Sequence, residues 1–212
     1  FELVIVNDGS TDSTASIIES FDDERLVVIN QTNIGLTKSL NKGLNIAKGE
    51  FIARIDADDI CMPGRFYKQK KALVENPDVV LVGSNAILID VNNNEIGRAG
   101  YPLTNDMLLD RLRTFRSVFP HSSVFFRKDI VIKEGGYNEY FVKSQDNELY
   151  LRLSGRYLMS GLDEFLIKLR INPDSLTYSD DLQLKMGLAS LICYYRRKNG
   201  LKDFTKSKRD EW

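Results

Sequence analysis

Leu3-Val4-Ile5-Val6 is an unbroken apolar run of mostly β-branched residues, the pattern of a strand covered on both faces. It stops at Asn7-Asp8-Gly9-Ser10-Thr11-Asp12, a cluster of turn residues that can also cap a following helix. Ile17, Ile18 and Phe21 supply the apolar face of a short helix, and Leu26 to Ile29 reads as the next strand. Leu36, Leu40, Leu44 and Ala47 step at helical spacing towards Gly49, a natural stop. Phe51 to Ile55 is a third strand and runs into Asp56-Ala57-Asp58-Asp59, and Pro63 opens a helix expected to reach about Glu75. This β-α-β-α-β order predicts a mostly parallel sheet with right-handed crossovers.

After Asn76-Pro77 the spacing tightens. Val79–Val82 and Ala86–Ile89 read as two strands, and Asn92-Asn93-Asn94 as a hairpin loop before Glu95-Ile96. A helix is expected over 106–115, a strand over 122–126, a helix over 145–153 and a last strand over 166–171. Asn172-Pro173-Asp174 reads as a turn. From about Asp181 a further helix carries Leu184, Met186, Leu188, Leu191 and Ile192 and ends near Arg196-Arg197-Lys198-Asn199-Gly200. The last dozen residues are charged and expected to be loose.

Composition narrows the chemistry. The 212 residues carry 29 Lys and Arg against 30 Asp and Glu, a net charge of −1 that argues against a nucleic-acid surface. Two cysteines cannot build a disulfide framework or a four-cysteine metal site, which fits a reducing compartment. The single histidine, His121, removes every mechanism that needs two. No apolar run approaches the ~20 residues of a membrane span. Neither Gly-x-Gly-x-x-Gly, a phosphate loop of the Gly-x4-Gly-Lys type nor a Gly-x-Ser-x-Gly elbow occurs.

Two loops lie just beyond strand ends, where open α/β sheets bind ligands. One holds Asp8-Gly9-Ser10, which ordinary turn chemistry also explains. The other holds Asp56, Asp58 and Asp59. Three carboxylates this close repel one another, and a hard divalent cation such as Mg²⁺ or Mn²⁺ would relieve that. The competing reading is that they cap the helix after Pro63 and face water. Asp146, between Gln145 and Asn147, is either a helix cap or a base that takes a proton from an attacking hydroxyl.

Taken together, Phe1 to Asp12, Asn41-Lys42-Gly43, Ala47 to Ala53, Asp56-Ala57-Asp58-Asp59, Pro63-Gly64-Arg65-Phe66, Gln69, Val82-Gly83-Ser84, His121 to Val124, Gln145-Asp146 and Leu149 to Arg152 resemble family 2 glycosyltransferases of the GT-A fold. The likeness runs in order from residue 1 to about 175, and by pattern it is strongest with bacterial enzymes that build O-antigen and capsule. It implies a Rossmann-like α/β sandwich over residues 1–178, followed by a C-terminal helix and charged tail over 179–212. It also implies an enzyme working in the cytoplasm or at the inner face of the membrane. The family pattern begins one strand earlier than Phe1, so the sheet is expected to lack that N-terminal strand. The implied reaction moves a sugar, with inversion, from a nucleotide-diphosphate sugar (a UDP-sugar) to a saccharide or lipid-linked acceptor, with Mn²⁺ or Mg²⁺ as cofactor.

Carried over by position, Asp8 would bind the nucleotide base in a turn shaped by Gly9 and Ser10. Asp58 would hold the metal, Asp56 would line the ribose–diphosphate region, and Asp146 would be the base. Lys38 and Asn41 would face the same cleft, Arg170 would approach the diphosphate, and His121 would lie near the acceptor or serve structure. The sequence departs from the family pattern in two places. Gln145 replaces the first member of an acidic pair, and Asn172 stands where relatives often carry His. The alternatives to a transferase are an Asp-x-Asp phosphohydrolase and an inactive nucleotide-sugar-binding domain.

Overall fold

A computed structural model describes residues 1–114, 116–172 and 181–206. Phe115, Pro173 and Asp174, on which a helix end and a turn were expected, lie outside the described residues, as do the last six positions of the tail. The elements are β1 (Leu3–Asp8), α1 (Thr14–Glu19), β2 (Leu26–Gln31), α2 (Leu36–Ile46), β3 (Phe51–Ala53), β4 (Ile60–Cys61), α3 (Arg65–Glu75), β5 (Val79–Ile89), β6 (Glu95–Ala99), α4 (Asn105–Arg113), β7 (Phe125–Arg127), α5 (Lys128–Lys133), α6 (Gln145–Leu153), β8 (Leu158–Arg170) and α7 (Asp181–Lys198). Single 3₁₀ turns cover His121–Ser123 and Phe204–Lys206.

β1 and β2 pair in parallel, with Leu3 opposite Leu26. The other six strands form one sheet in the order β3-β7-β5-β8-β4, with β6 also on β5. Within it only β5 and β8 run parallel. The α/β fold is as expected, but the sheet is mixed where a mostly parallel one was expected. The physical reason is that crossovers of the β-α-β kind end with α3. Thereafter the Asn92–Asn94 loop folds β6 back on β5, and β7 enters antiparallel between β3 and β5. Continuous apolar runs mark a strand as buried without fixing its direction.

The two strands expected at 79–82 and 86–89 are one. β5 continues through Gly83-Ser84-Asn85, all buried, with register shifts against β8 at Ser84 and Asn85. Polar residues interrupt the apolar pattern here because Asn85 is bonded on both sides. Its Nδ2 donates to Asp163 Oδ1 at 3.0 Å, and its Oδ1 accepts from Tyr101 N at 2.9 Å. Gly83 is required by contact, since a Cβ there would sit 2.2 Å from the Phe119 ring. The strand expected over 122–126 is instead the 3₁₀ turn followed by β7.

The main core gathers Leu44, Leu81, Leu108, Val124, Phe126, Leu149, Leu153 and Met159 between the sheet and α2, α4 and α6, and Tyr194 of α7 joins it. Beneath β3 a polar clamp takes over. The fully buried Arg65 donates to Gln69 Oε1 at 2.9 Å and to the Arg54 carbonyl at 2.8 Å, and Gln69 Nε2 donates to the Ser123 carbonyl at 2.7 Å. α3 thereby fixes the backbone of both segments that carry the acidic loop and the His121 turn. A buried guanidinium is tolerable only with such partners.

Candidate active site

The Asp56–Asp59 loop follows β3, and its three carboxylates have different fates. Asp56 is gripped by both terminal nitrogens of Arg54. It also accepts from Ser122 Oγ at 3.0 Å, while its own N–H donates back to that oxygen at 3.0 Å. Asp59 Oδ1 accepts the Arg170 N–H at 2.7 Å; burial pushes its pKa up, and Ser122 and the Arg170 bond oppose that. Asp58 is exposed, and among the described residues its carboxylate makes no hydrogen bond or ion pair. None of the three caps α3, whose N-cap is Gly64 in the left-handed region and without a side-chain bond. The capping alternative is thereby excluded.

Arg170, at the end of β8, does not reach outward. Its Nε donates to the Asp58 carbonyl at 2.8 Å, Nη1 to the Asp90 carbonyl at 2.6 Å and Nη2 to Asn93 Oδ1 at 2.7 Å. It straps the acidic loop to the β5–β6 hairpin.

Asp8 closes β1. Its carboxylate accepts from Gln31 Nε2 at 2.8 Å, Ile34 N at 2.9 Å and Gly35 N at 3.0 Å, which ties it to the entry of α2. Partial burial works against its charge, but these bonds outweigh it and hold its pKa below the usual value. Two of the three bonds fall on Oδ1, so Oδ2 keeps room to accept from a ligand. Gly9 has φ +78° and passes so close to Asn33 that a Cβ would lie 2.7 Å from its nitrogen. The Ser10 N–H donates to Asn7 Oδ1 at 3.1 Å, closing the turn. Lys38 is exposed on α2. Asn41 instead serves structure. Its Nδ2 donates to the Tyr137 carbonyl at 2.8 Å and its Oδ1 accepts the Tyr137 N–H at 2.8 Å, so one amide holds that backbone on both sides.

Asp146 stands in the first turn of α6, not at its cap; the N-cap position is Ser144, at φ +55°. That uncommon conformation is held from α7, where Gln183 Nε2 donates to Ser144 Oγ at 2.8 Å. Asp146 Oδ1 accepts the Asn147 N–H at 2.9 Å. Burial pushes its pKa up and the Asp56 charge adds to this, while the Asn147 bond and the Arg54 charge pull the other way. His121 Nε2 lies 2.8 Å from Tyr137 Oη. Burial, then the Arg54 charge, lower its pKa well below the ordinary value and keep it neutral. The Tyr150 hydroxyl is buried in the same neighbourhood, without a hydrogen-bond partner among the described residues.

The structure therefore groups Asp56, His121 and Asp146 around Arg54, and adds Arg54, Ser122, Tyr137 and Tyr150, which the sequence reading did not single out. Arg54 was detectable in principle, since a lone charge inside the apolar run Phe51–Ile55 needs a buried partner. The tyrosines carried no such signal. For a divalent cation, no group of three or more His, Cys, Asp or Glu able to hold one exists among the described residues. Asp58 alone fits the Mg²⁺ habit of one or two carboxylates completed by substrate phosphates.

The family model "Glycosyl transferase family 2" matches residues 1–135. The chain belongs to glycosyl transferase family 2. Among the relatives of this glycosyltransferase-family chain, the amylovoran biosynthesis glycosyltransferase AmsE of Erwinia amylovora is 34% identical over 177 residues, covering 82% of this chain and 65% of AmsE. The O-antigen biosynthesis glycosyltransferase WbnJ of Escherichia coli is 32% identical over 181 residues, covering 82% and 70%. The fold is shared with S. aureus TarS 1–349 in complex with UDP-GlcNAc, at a TM-score of 0.62 and 20% identity over 95% of this chain and 64% of that one. The family 2 chain thus spans about two thirds of these proteins' lengths.

Proposed function

We propose that the protein transfers a sugar from a nucleoside-diphosphate sugar, with UDP as the nucleotide, to an acceptor hydroxyl with inversion, in the synthesis of a bacterial surface polysaccharide. The reading draws on family membership, on relatives named for amylovoran and O-antigen synthesis, and on a related fold crystallised with UDP-GlcNAc. One observation in this chain carries it: of three clustered carboxylates, Asp56 and Asp59 are bonded into the fold and Asp58 is left free at the surface. Such a group fits a cation, Mn²⁺ or Mg²⁺, that a diphosphate also ligates. When bound, that cation offsets the charge developing on the leaving diphosphate.

The chain's own groups supply the rest. The remaining acceptor lone pair of Asp8 suits an N–H of the nucleotide base. Asp146, whose pKa burial raises, suits a general base at neutral pH. The acceptor oxygen attacks the anomeric carbon as the carbon–diphosphate bond breaks, and its proton passes to Asp146. Asp56, neutralised by Arg54, orders the loop beside the ribose and diphosphate. Neutral His121, hydrogen-bonded to Tyr137, lines the acceptor side without carrying charge. Lys38, exposed on α2, completes the cleft, and Asn41 and Arg170 act by holding loops. The acceptor is a saccharide or a lipid-linked sugar, met in the cytoplasm or at the inner face of the membrane.

The test is UDP release from a panel of UDP-sugars with polysaccharide or lipid-linked acceptors, for wild type and Asp146→Asn. Acceptor-dependent release by wild type, lost in the variant while UDP affinity is unchanged, supports the assignment. Equal release by both overturns it.

A further inference from the structure

α7 is packed on one side only. Gly187, Ser190, Cys193 and Tyr194 are buried against the domain, while Leu184, Leu188, Ile192 and Tyr195 are 44% to 59% exposed. Positions 184, 188, 192 and 195 fall on one helical face. The stripe continues past the helix end at Leu201, 54% exposed, and a shallow trough of about 290 Å³ runs between Leu188, Ile192, Tyr195 and Leu201. Contiguous apolar surface of this kind marks a contact face.

The charge beside it selects the partner. At 100° per residue Lys185 and Arg196 flank the stripe on one side and Lys198 on the other. Among the described residues the one acid at this face, Asp181 at the helix start, lies 3.9 Å from Lys185. Arg196 and Leu201 line both the apolar trough and a neighbouring cavity of about 1550 Å³, whose wall carries, among the described residues, eight basic side chains against three acidic ones. Of those acids, Asp203 is bonded to Arg197 at 2.7 Å and Glu134 to Arg156 at 3.1 Å. Lys133, Lys198 and Lys202 face that space with no acid paired to them among the described residues. A second copy of the chain fits poorly, because its own excess of positive charge would meet this one. A bilayer with anionic headgroups fits both features. Its acyl boundary accepts the leucines, isoleucine and tyrosine, and its phosphates meet the flanking lysines and arginine.

We propose that the exposed face of α7, with Leu201 and the basic rim, lies in the plane of an anionic membrane surface. Helix α7 rests on the surface and does not cross it, as no helix among the described residues is long and apolar enough to span. The proposal deepens the function above by giving the surface that meets a membrane, and it rests on that reading only for the enzyme's place in the cell. Vesicle binding itself requires no sugar donor.

The experiment is co-sedimentation of the 212-residue chain with vesicles of phosphatidylcholine alone or with about one third phosphatidylglycerol, at low and high salt. UDP affinity is measured on the same samples. Binding at least about tenfold tighter to the anionic vesicles and weakened by salt is expected. The double variants Leu188→Glu/Ile192→Glu and Arg196→Glu/Lys198→Glu should each lose it while keeping wild-type UDP affinity. Equal binding to both vesicle types, no binding, or wild-type binding by either double variant overturns the proposal. So does a stable dimer that Leu188→Glu dissociates, which would assign the face to a second copy. Absent vesicle binding by wild type with intact UDP affinity refutes only this proposal, whereas absent UDP affinity in wild type refutes the donor assignment instead.

Discussion

Arg54 holds Asp56, two residues away, with both guanidinium nitrogens, and the pair is closed by Ser122 Oγ, 3.0 Å from the carboxylate and 3.2 Å from Arg54 Nη1. The Arg54 side chain is 8% exposed and that of Asp56 43%. The guanidinium is thus the partner that depends on the bond. Removing the acid strands a buried cation, and removing the cation leaves an acid that water can still reach.

Asp56→Asn should therefore destabilise the fold more than Arg54→Met does. Breaking a fully buried pair costs about 3–5 kcal/mol, and partial exposure of Asp56 reduces that to about 2 kcal/mol. Urea unfolding of both variants checks the order. Equal stability of Asp56→Asn and wild type would show that the pair is not holding the loop.

Glu148 lies between Arg152, at 2.9 Å, and Arg197 of α7, at 3.2 Å, and its side chain is fully buried. Glu148→Ala removes the carboxylate that the two guanidinium groups share, leaving Arg197 with Asp203 and Arg152 with backbone carbonyls. A loss of about 3 kcal/mol in urea unfolding is expected. Glu148→Gln, which keeps the hydrogen-bonding shape but not the charge, should lose less.

Asp146 gives a prediction in which stability and activity move oppositely. Its folded pKa is raised above the ordinary value of 3.8, so between those two pH values the folded state holds more protons than the unfolded one. Stability contributed by the protonated form is present below that window and lost as pH rises through it. Asp146→Asn should thus be more stable than wild type at pH 7 and no more stable near pH 3.5, by thermal unfolding at both. Transfer by wild type should fall as pH drops through the same window. A variant less stable than wild type at pH 7 would remove the argument.

The first three strands, their helices and the position of the acidic loop were readable because each is punctuated by turn residues at its end. Leu3–Val6 into Asn7-Asp8-Gly9 and Phe51–Ala53 into the Asp56 loop are both found where the pattern put them. Strand direction after α3 was not readable. The apolar pattern of β7, three residues long and flanked by a 3₁₀ turn, is the same whichever way it runs. β5 was split in two because Ser84 and Asn85 look like a break, and only the partners Asp163 and Tyr101 make them interior. In the site, residue types were legible and their allegiances were not. Asn41 and Arg170 read as groups for a ligand, yet each spends its polar atoms on backbone and side-chain groups brought near by the fold. The residues made Asp58 and Asp146 candidates, family likeness gave them their roles, and the geometry separates Asp58 from its bonded neighbours.

Titration calorimetry of UDP with and without Mn²⁺, on wild type and Asp58→Asn, bears most directly on the central claim that a free carboxylate at this strand end shares a cation with a diphosphate. Wild type should bind UDP at least about tenfold tighter when Mn²⁺ is present, corresponding to about 1.4 kcal/mol. Asp58→Asn should bind UDP equally with and without the metal and unfold at the wild-type temperature, since its side chain is not bonded into the fold. Metal-independent UDP binding by wild type, or an undiminished Mn²⁺ effect in Asp58→Asn, would contradict the account.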